Sequence, residues 1–136
     1  MKPPLGDTLV ICDMDNTLLT AKEGIPACNR AVIRLYTSLG GLFTVATGRP
    51  PESIRAALGD IRLSLPAISC NGALLYDFST ESVLHRATLN REQATTAILD
   101  ILNKFPRMGV EVMAGNGEMY VIHANEVTHA HQVNEH

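Results

Sequence analysis

The sequence predicts an α/β fold built on a parallel sheet, and three observations predict it. Residues 9–12 form a short apolar run, Leu-Val-Ile-Cys, rich in β-branched residues and too short for a helix. Residues 42–46 and 65–70 supply two further strand-like runs, and all three runs end in polar turns: Asp13-Met14-Asp15, Thr47-Gly48-Arg49 and Asn71-Gly72. Between the first two runs, Ala31, Val32, Leu35, Tyr36 and Leu39 recur at helical spacing, as the crossover of a βαβ unit requires.

Each element has a local reason. Residues 2–7 contain Pro and Gly and read as a loose lead-in to the first strand, which is expected to be buried. Residues 20–24 are polar and read as a loop beside the acidic turn. Pro26 suits the first turn of the crossover helix, and Gly40-Gly41 ends it. Residues 52–58 form a short helix stopped by Gly59. Residues 74–76 and 82–84 flank a polar turn and form a hairpin that leads out of the core. Asn90 with Gln93 approximates a capping box. The stripe Ala94, Ala97, Ile98, Ile101, Leu102 and Phe105 marks the clearest helix, which Pro106 ends. Residues 109–113 and 119–122 are strands joined by the turn Gly115-Asn116-Gly117.

Composition narrows the function. The chain has 136 residues, enough for about one domain or one domain and a fragment. A formal charge of −3 gives no reason to expect nucleic acid or an anionic membrane as partner. No apolar run approaches the ~20 residues that span a bilayer. The first residues lack a signal-like apolar segment, so a cytoplasmic protein is expected. Cys12, Cys28 and Cys70 are odd in number and lack CxxC spacing, so reduced thiols are expected, with Cys12 and Cys70 as small core fillers.

The chemistry concentrates at the three strand ends. In open α/β sheets ligands bind beyond the carboxyl ends of the strands. Asp13 and Asp15 stand there, and their spacing of two lets both carboxylates point one way. A carboxylate can act as a covalent nucleophile on phosphorus while a second shuttles the proton. Taken alone, Asp-x-Asp also suits a solvated turn or a metal-nucleotide-sugar transferase. At Thr47-Gly48-Arg49 a hydroxyl, a glycine and a proline-opened helix form an oxyanion cradle. Asn71-Gly72 taken alone is a turn dipeptide.

Asp13 through Leu18, read D-x-D-x-T-L, resembles the first motif of the haloacid dehalogenase (HAD) superfamily of phosphotransferases. The resemblance implies a partial Rossmann-like, three-layer HAD core in residues 1–80 and the start of an α/β cap in residues 81–136. It implies that Asp13 is the nucleophile and Asp15 the acid/base. Thr47 matches the second motif, whose hydroxyl binds the transferring phosphoryl group, and Thr-Gly-Arg looks like the Cof-type, sugar-phosphatase-like branch. By the same resemblance Gly48 has a backbone role, Asn71 faces the active site, and Arg49 is a substrate or phosphate contact. Asn16 stands where the branch usually has Gly, a mild departure because Asn tolerates the same turn conformations.

The resemblance also implies magnesium, held by the Asp13 carboxylate and the Asp15 main-chain carbonyl, and a small phosphorylated metabolite as substrate. Two further family motifs, a lysine and acidic metal ligands, find no counterpart in these residues. Without a cation, one like-charge pair at about 4 Å near a protein surface costs ~4 kcal/mol, roughly a thousandfold in rate. Impaired turnover is therefore expected, with a non-catalytic phosphometabolite-binding or interaction fragment as the alternative. Strands absent beside residues 9–12 would leave an apolar edge and favour a homo-oligomer.

His129-Ala130-His131 would put two imidazoles on one face of a strand, a candidate metal pair with His123 and His136 nearby. No Cys or paired carboxylate accompanies them at ligand spacing, which favours a solvated surface.

Overall fold

The computed structural model describes residues 3–20 and 24–135, with side chains through residue 130. Lys2, residues 21–23 of the expected loop, and His136 lie outside the described residues. The chain forms two compact units, Met1–Arg86 and Ala87–His136. No helix among the described residues is long and apolar enough to cross a membrane.

In the first unit, β1 (Leu9–Cys12) and β2 (Leu42–Val45) pair in parallel, Leu9 opposite Leu42 and Cys12 opposite Val45. Helix α1 (Ala27–Ser38) crosses between them, with Pro26 at its N-cap. Its C-terminus is closed by Gly40 at φ +89°, a conformation that glycine adopts without penalty. Helix α2 (Pro51–Leu58) follows β2 and ends at Gly59. Strand β3 (Ala67–Ser69) joins β2 through a parallel bridge between Ala46 and Ile68. The first three strands therefore run side by side with the same polarity, as the apolar runs predict. The hairpin of β4 (Leu74–Asp77) and β5 (Ser82–Arg86) adds antiparallel to β3. A boundary between residues 80 and 81 would cut this hairpin, and the two units divide after it instead.

The core of this unit gathers Met14, Leu18, Leu19, Ile25, Ile33, Phe43, Val45, Ile54, Leu58, Ile61 and Ala67. Of the two expectations for β1, a buried strand or an exposed apolar edge, the structure agrees with the second: Leu9, Val10 and Ile11 are 45%, 40% and 50% exposed. One expectation is corrected. Helix α1 turns Ile33 to the core, while Val32 and Leu35 of the expected stripe are exposed. The helix has a second apolar line through Ile33 and Tyr36. Arg30 anchors that orientation, donating to the Ile25 and Leu58 carbonyls and pairing with Asp60, which Arg34 also contacts.

In the second unit, α3 (Arg91–Lys104) begins at Asn90, whose side chain accepts the Gln93 N–H at 2.8 Å. Strands β6 (Val110–Met113) and β7 (Met119–His123) form the expected antiparallel hairpin. Helix α4 (Glu126–Glu135) replaces the expected strand around His129. Asn125 starts it by accepting the N–H groups of Val127 and Thr128 at 3.0 Å. On a helix, positions two apart point about 200° from each other, so residues 129 and 131 do not share a face.

Candidate active site

The acidic turn is built by one buried side chain. Met14 is fully buried, whereas Asp13 and Asp15 on either side are exposed. This in-out alternation sends both carboxylates away from the core. The Met14 carbonyl accepts N–H groups from Thr17, Leu18 and Leu19 at 3.4, 3.0 and 2.7 Å, curling the chain tightly. Buried Leu18 and Leu19 hold the curl down, and Asn16 takes the left-handed conformation at φ +59° that its short polar side chain permits. The Thr17 hydroxyl donates to one Asp13 carboxylate oxygen at 3.3 Å.

The turn after β2 supplies the hydroxyl. Thr47 is buried, its N–H donates to the Ile68 carbonyl at 2.9 Å, and its Oγ1 accepts the Arg49 N–H at 3.2 Å. Arg49 reaches back to the acidic turn. Its Nε and Nη2 donate to Asp15 at 2.8 to 3.2 Å in a forked pair, and its Nη1 donates to Ser53 Oγ at 2.8 Å. The hydrogen bond from Arg49 is the main reason the Asp15 carboxyl sits below the usual carboxylate range. Partial burial opposes that shift and the Arg49 charge reinforces it.

The turn after β3 is conformationally expensive. Cys70, Asn71 and Gly72 have φ of +52°, +55° and +89° in succession. Two non-glycine residues in that region each cost of order 1 kcal/mol or more. Neighbouring contacts fix them: Cys70 N–H to the Arg49 carbonyl, Asn71 N–H to the Thr47 carbonyl, both at 3.1 Å, and the Ser69 hydroxyl to the Arg49 carbonyl at 2.7 Å. The Asn71 amide lies against Gly48, where a Cβ would meet its oxygen and nitrogen at 3.1 Å. At Gly48 a side chain would thus press on the Asn71 amide, while its own dihedral does not call for glycine.

Contacts therefore link Thr47 and Gly48 with Asn71, and Arg49 with Asp15. The Asp13 carboxylate bonds within its own turn, to Thr17, and no bond among the described residues joins it to Thr47 or Asn71. A hollow of about 420 Å³ opens beside Asp15 and Arg49, walled also by Asn16, Leu19, Thr20 and Ala57. The sequence reading left out Ser53 and Ser69, which brace Arg49 from its side chain and its backbone. Ser53 was findable, because four residues after Arg49 is one helical turn.

The donors available to a cation are hard oxygens: the exposed Asp13 carboxylate and the Asp15 main-chain carbonyl. They fit magnesium, which keeps several waters and needs only one or two protein carboxylates beside a substrate phosphate. Among the described residues no three His, Cys, Asp or Glu side chains converge on a metal site. His123 is engaged elsewhere, its Nδ1 2.8 Å from the Met108 carbonyl.

Comparison with known proteins agrees with this geometry. The haloacid dehalogenase-like hydrolase family model matches residues 10–136. The chain is 37% identical over 93 residues to the Bacillus subtilis 5-amino-6-(5-phospho-D-ribitylamino)uracil phosphatase YwtE, covering 68% of this chain and 31% of that protein. It is 32% identical over 76 residues to the Escherichia coli pyridoxal phosphate phosphatase YbhA, covering 56% and 28%. It superposes on the subclass IIB sugar phosphatase BT4131 with TM-score 0.75 at 21% identity, over 93% of this chain and 48% of that one. A HAD/COF-like hydrolase from Plasmodium vivax gives TM-score 0.63 at 23% identity, over 74% and 38%. The chain thus spans about a third of the curated relatives and under half of the solved structures. With its strand order, its acidic turn and these matches, the chain belongs to the haloacid dehalogenase-like hydrolase family, of whose α/β fold it holds a part.

Proposed function

We propose that this chain carries the nucleophile-bearing part of a magnesium-dependent phosphatase acting on small phosphorylated metabolites in the cytoplasm. The observation that carries the reading is the convergence of the strand-end turns, with Arg49 bonded to Asp15 and the Thr47-Gly48 turn closed by Asn71. The substrate class is supported by the relatives named for phosphorylated ribitylaminouracil and pyridoxal phosphate. The cytoplasmic setting rests on the sequence's odd number of scattered cysteines.

In this reading an Asp13 carboxylate oxygen attacks phosphorus. The bond from phosphorus to the substrate oxygen breaks, and Asp15, protonated once Arg49 has turned from it to the substrate's phosphate, delivers a proton to the departing alkoxide. Asp15 then takes a proton from water, whose oxygen attacks the aspartyl-phosphate. Phosphate leaves and the Asp13 carboxylate is restored. The Thr47 hydroxyl and the amide groups of Gly48 and Asn71 hold phosphoryl oxygens, and Arg49 stands at the rim to contact substrate and position Asp15. Magnesium on Asp13 and Asp15 supplies the positive charge that offsets repulsion between carboxylates and phosphate.

The test is hydrolysis of p-nitrophenyl phosphate with magnesium, together with mass-spectrometric detection of a phosphoryl adduct. We expect weak turnover and an adduct on Asp13, both lost in Asp13→Asn. Turnover unchanged by Asp13→Asn overturns the reading. The same proposal includes self-association of copies through β1, which pairs with no strand but β2 among the described residues and whose side chains are apolar and exposed.

A further inference from the structure

A second cavity lies in the first unit, between the end of α2 and the β4–β5 turn, and the phosphatase reading has no use for it. Its volume is about 450 Å³, within the range of small-molecule sites. The floor is apolar: Leu58 and Ile61 are buried, and Leu63 and Phe78 pack against the core. Two guanidinium groups stand at its walls, Arg55 and Arg62.

The two arginines are not equivalent. Arg55 lies 5.3 Å over the Phe78 ring and is paired with Glu81 at 2.9 Å. Its charge is answered within the protein, and it presents a flat plate beside an aromatic ring. Arg62 has no ion-pair partner among the described residues and is exposed at the rim. The acid nearest in sequence on the turn, Asp77, accepts the N–H and hydroxyl of Ser79 at 2.7 Å, and Asp60 is taken by Arg30 and Arg34. The cavity thus combines an apolar floor, a half-buried aromatic ring stacked on one guanidinium and edged by Tyr76, and one uncompensated cation.

We propose that this cavity binds a small aromatic acid, its ring against Phe78 and Arg55 and its anionic group on Arg62. A forked guanidinium recognises a carboxylate or a phosphate equally well in outline, so the shared chemistry is a planar ring bearing one oxyanion. The site needs no step of the phosphoryl chemistry and stands or falls apart from it.

The experiment is an amide-shift NMR titration of the 136-residue chain with benzoate, phenylphosphonate and neutral benzyl alcohol. Benzoate and phenylphosphonate are expected to move amides of residues 55–63 and 78–79 and to saturate below about 10 mM. A preference between them identifies which oxyanion the site takes. Benzyl alcohol and the Arg62→Gln variant are each expected to weaken binding about tenfold, the loss of one charge-assisted contact. Phe78→Leu, which removes the ring and keeps an apolar side chain, is expected to weaken both acids. Shifts confined to residues 13–17 and 47–49, no saturable shift, or equal binding by Arg62→Gln would overturn the proposal.

Discussion

Strands β1 and β2 have the same length, pair residue for residue, and both end at the proposed site, yet their surroundings are opposite. In β2, Phe43, Thr44 and Val45 are 4%, 3% and 0% exposed, while the central residues of β1 are about half exposed. The difference teaches that apolar composition makes a strand and leaves open what covers it. Strand β2 is sandwiched by neighbours: β3 on its far edge, residues 64–66 against its backbone, and core side chains on its faces. Strand β1 has β2 on one edge. The acidic turn is held less by its strand than by Met14, Leu18 and Leu19 beyond the strand's end.

Substitutions can break or sharpen that contrast. The largest effect is expected in β2, where Phe43→Ala should cost about 3–5 kcal/mol in chemical denaturation by removing a packed ring. Thr44→Val should cost about 1 kcal/mol, because the Thr44 hydroxyl donates to the carbonyls of Leu65 and Pro66 and fixes the path into β3. Gly48→Ala should change stability by under about 1 kcal/mol, since only the Asn71 side chain must yield, yet lower the Asp13-dependent turnover about tenfold by displacing that amide. The smallest effect is expected in β1: Ile11→Thr should stay within about 0.5 kcal/mol. Val10→Lys should likewise leave the fold intact and shift light-scattering mass toward the monomer, because a charge blunts an open edge. A cost in β1 equal to that in β2 would mean that its exposed face is covered in solution.

The contrast also marks what could be read from sequence. The three strand-end turns were legible because their chemistry is local: a carboxylate pair, a hydroxyl with glycine, an amide with glycine, each directly after an apolar run. The β4–β5 and β6–β7 hairpins and the Asn90 cap were legible for the same reason. The face of α1 was not, because Val32 and Leu35 offer a line as apolar as Ile33 and Tyr36, and only the tertiary bonds of Arg30 choose between them. The Arg49–Asp15 pair joins residues 34 apart in sequence and is visible only when β1 and β2 lie side by side. Helix α4 was missed because alternating His129 and His131 suggested a two-residue period. The start signal at Asn125, with Thr128 three positions on, outweighed it.

The three left-handed residues after β3 set a limit on how this rim can diverge. A β-branched side chain at position 70 or 71 would meet the preceding carbonyl whatever space surrounds it. Sequence change beside the Asp15–Arg49 hollow therefore meets less resistance at residues such as Thr20 and Ala57 than in the amide-bearing turn, which its own dihedrals constrain.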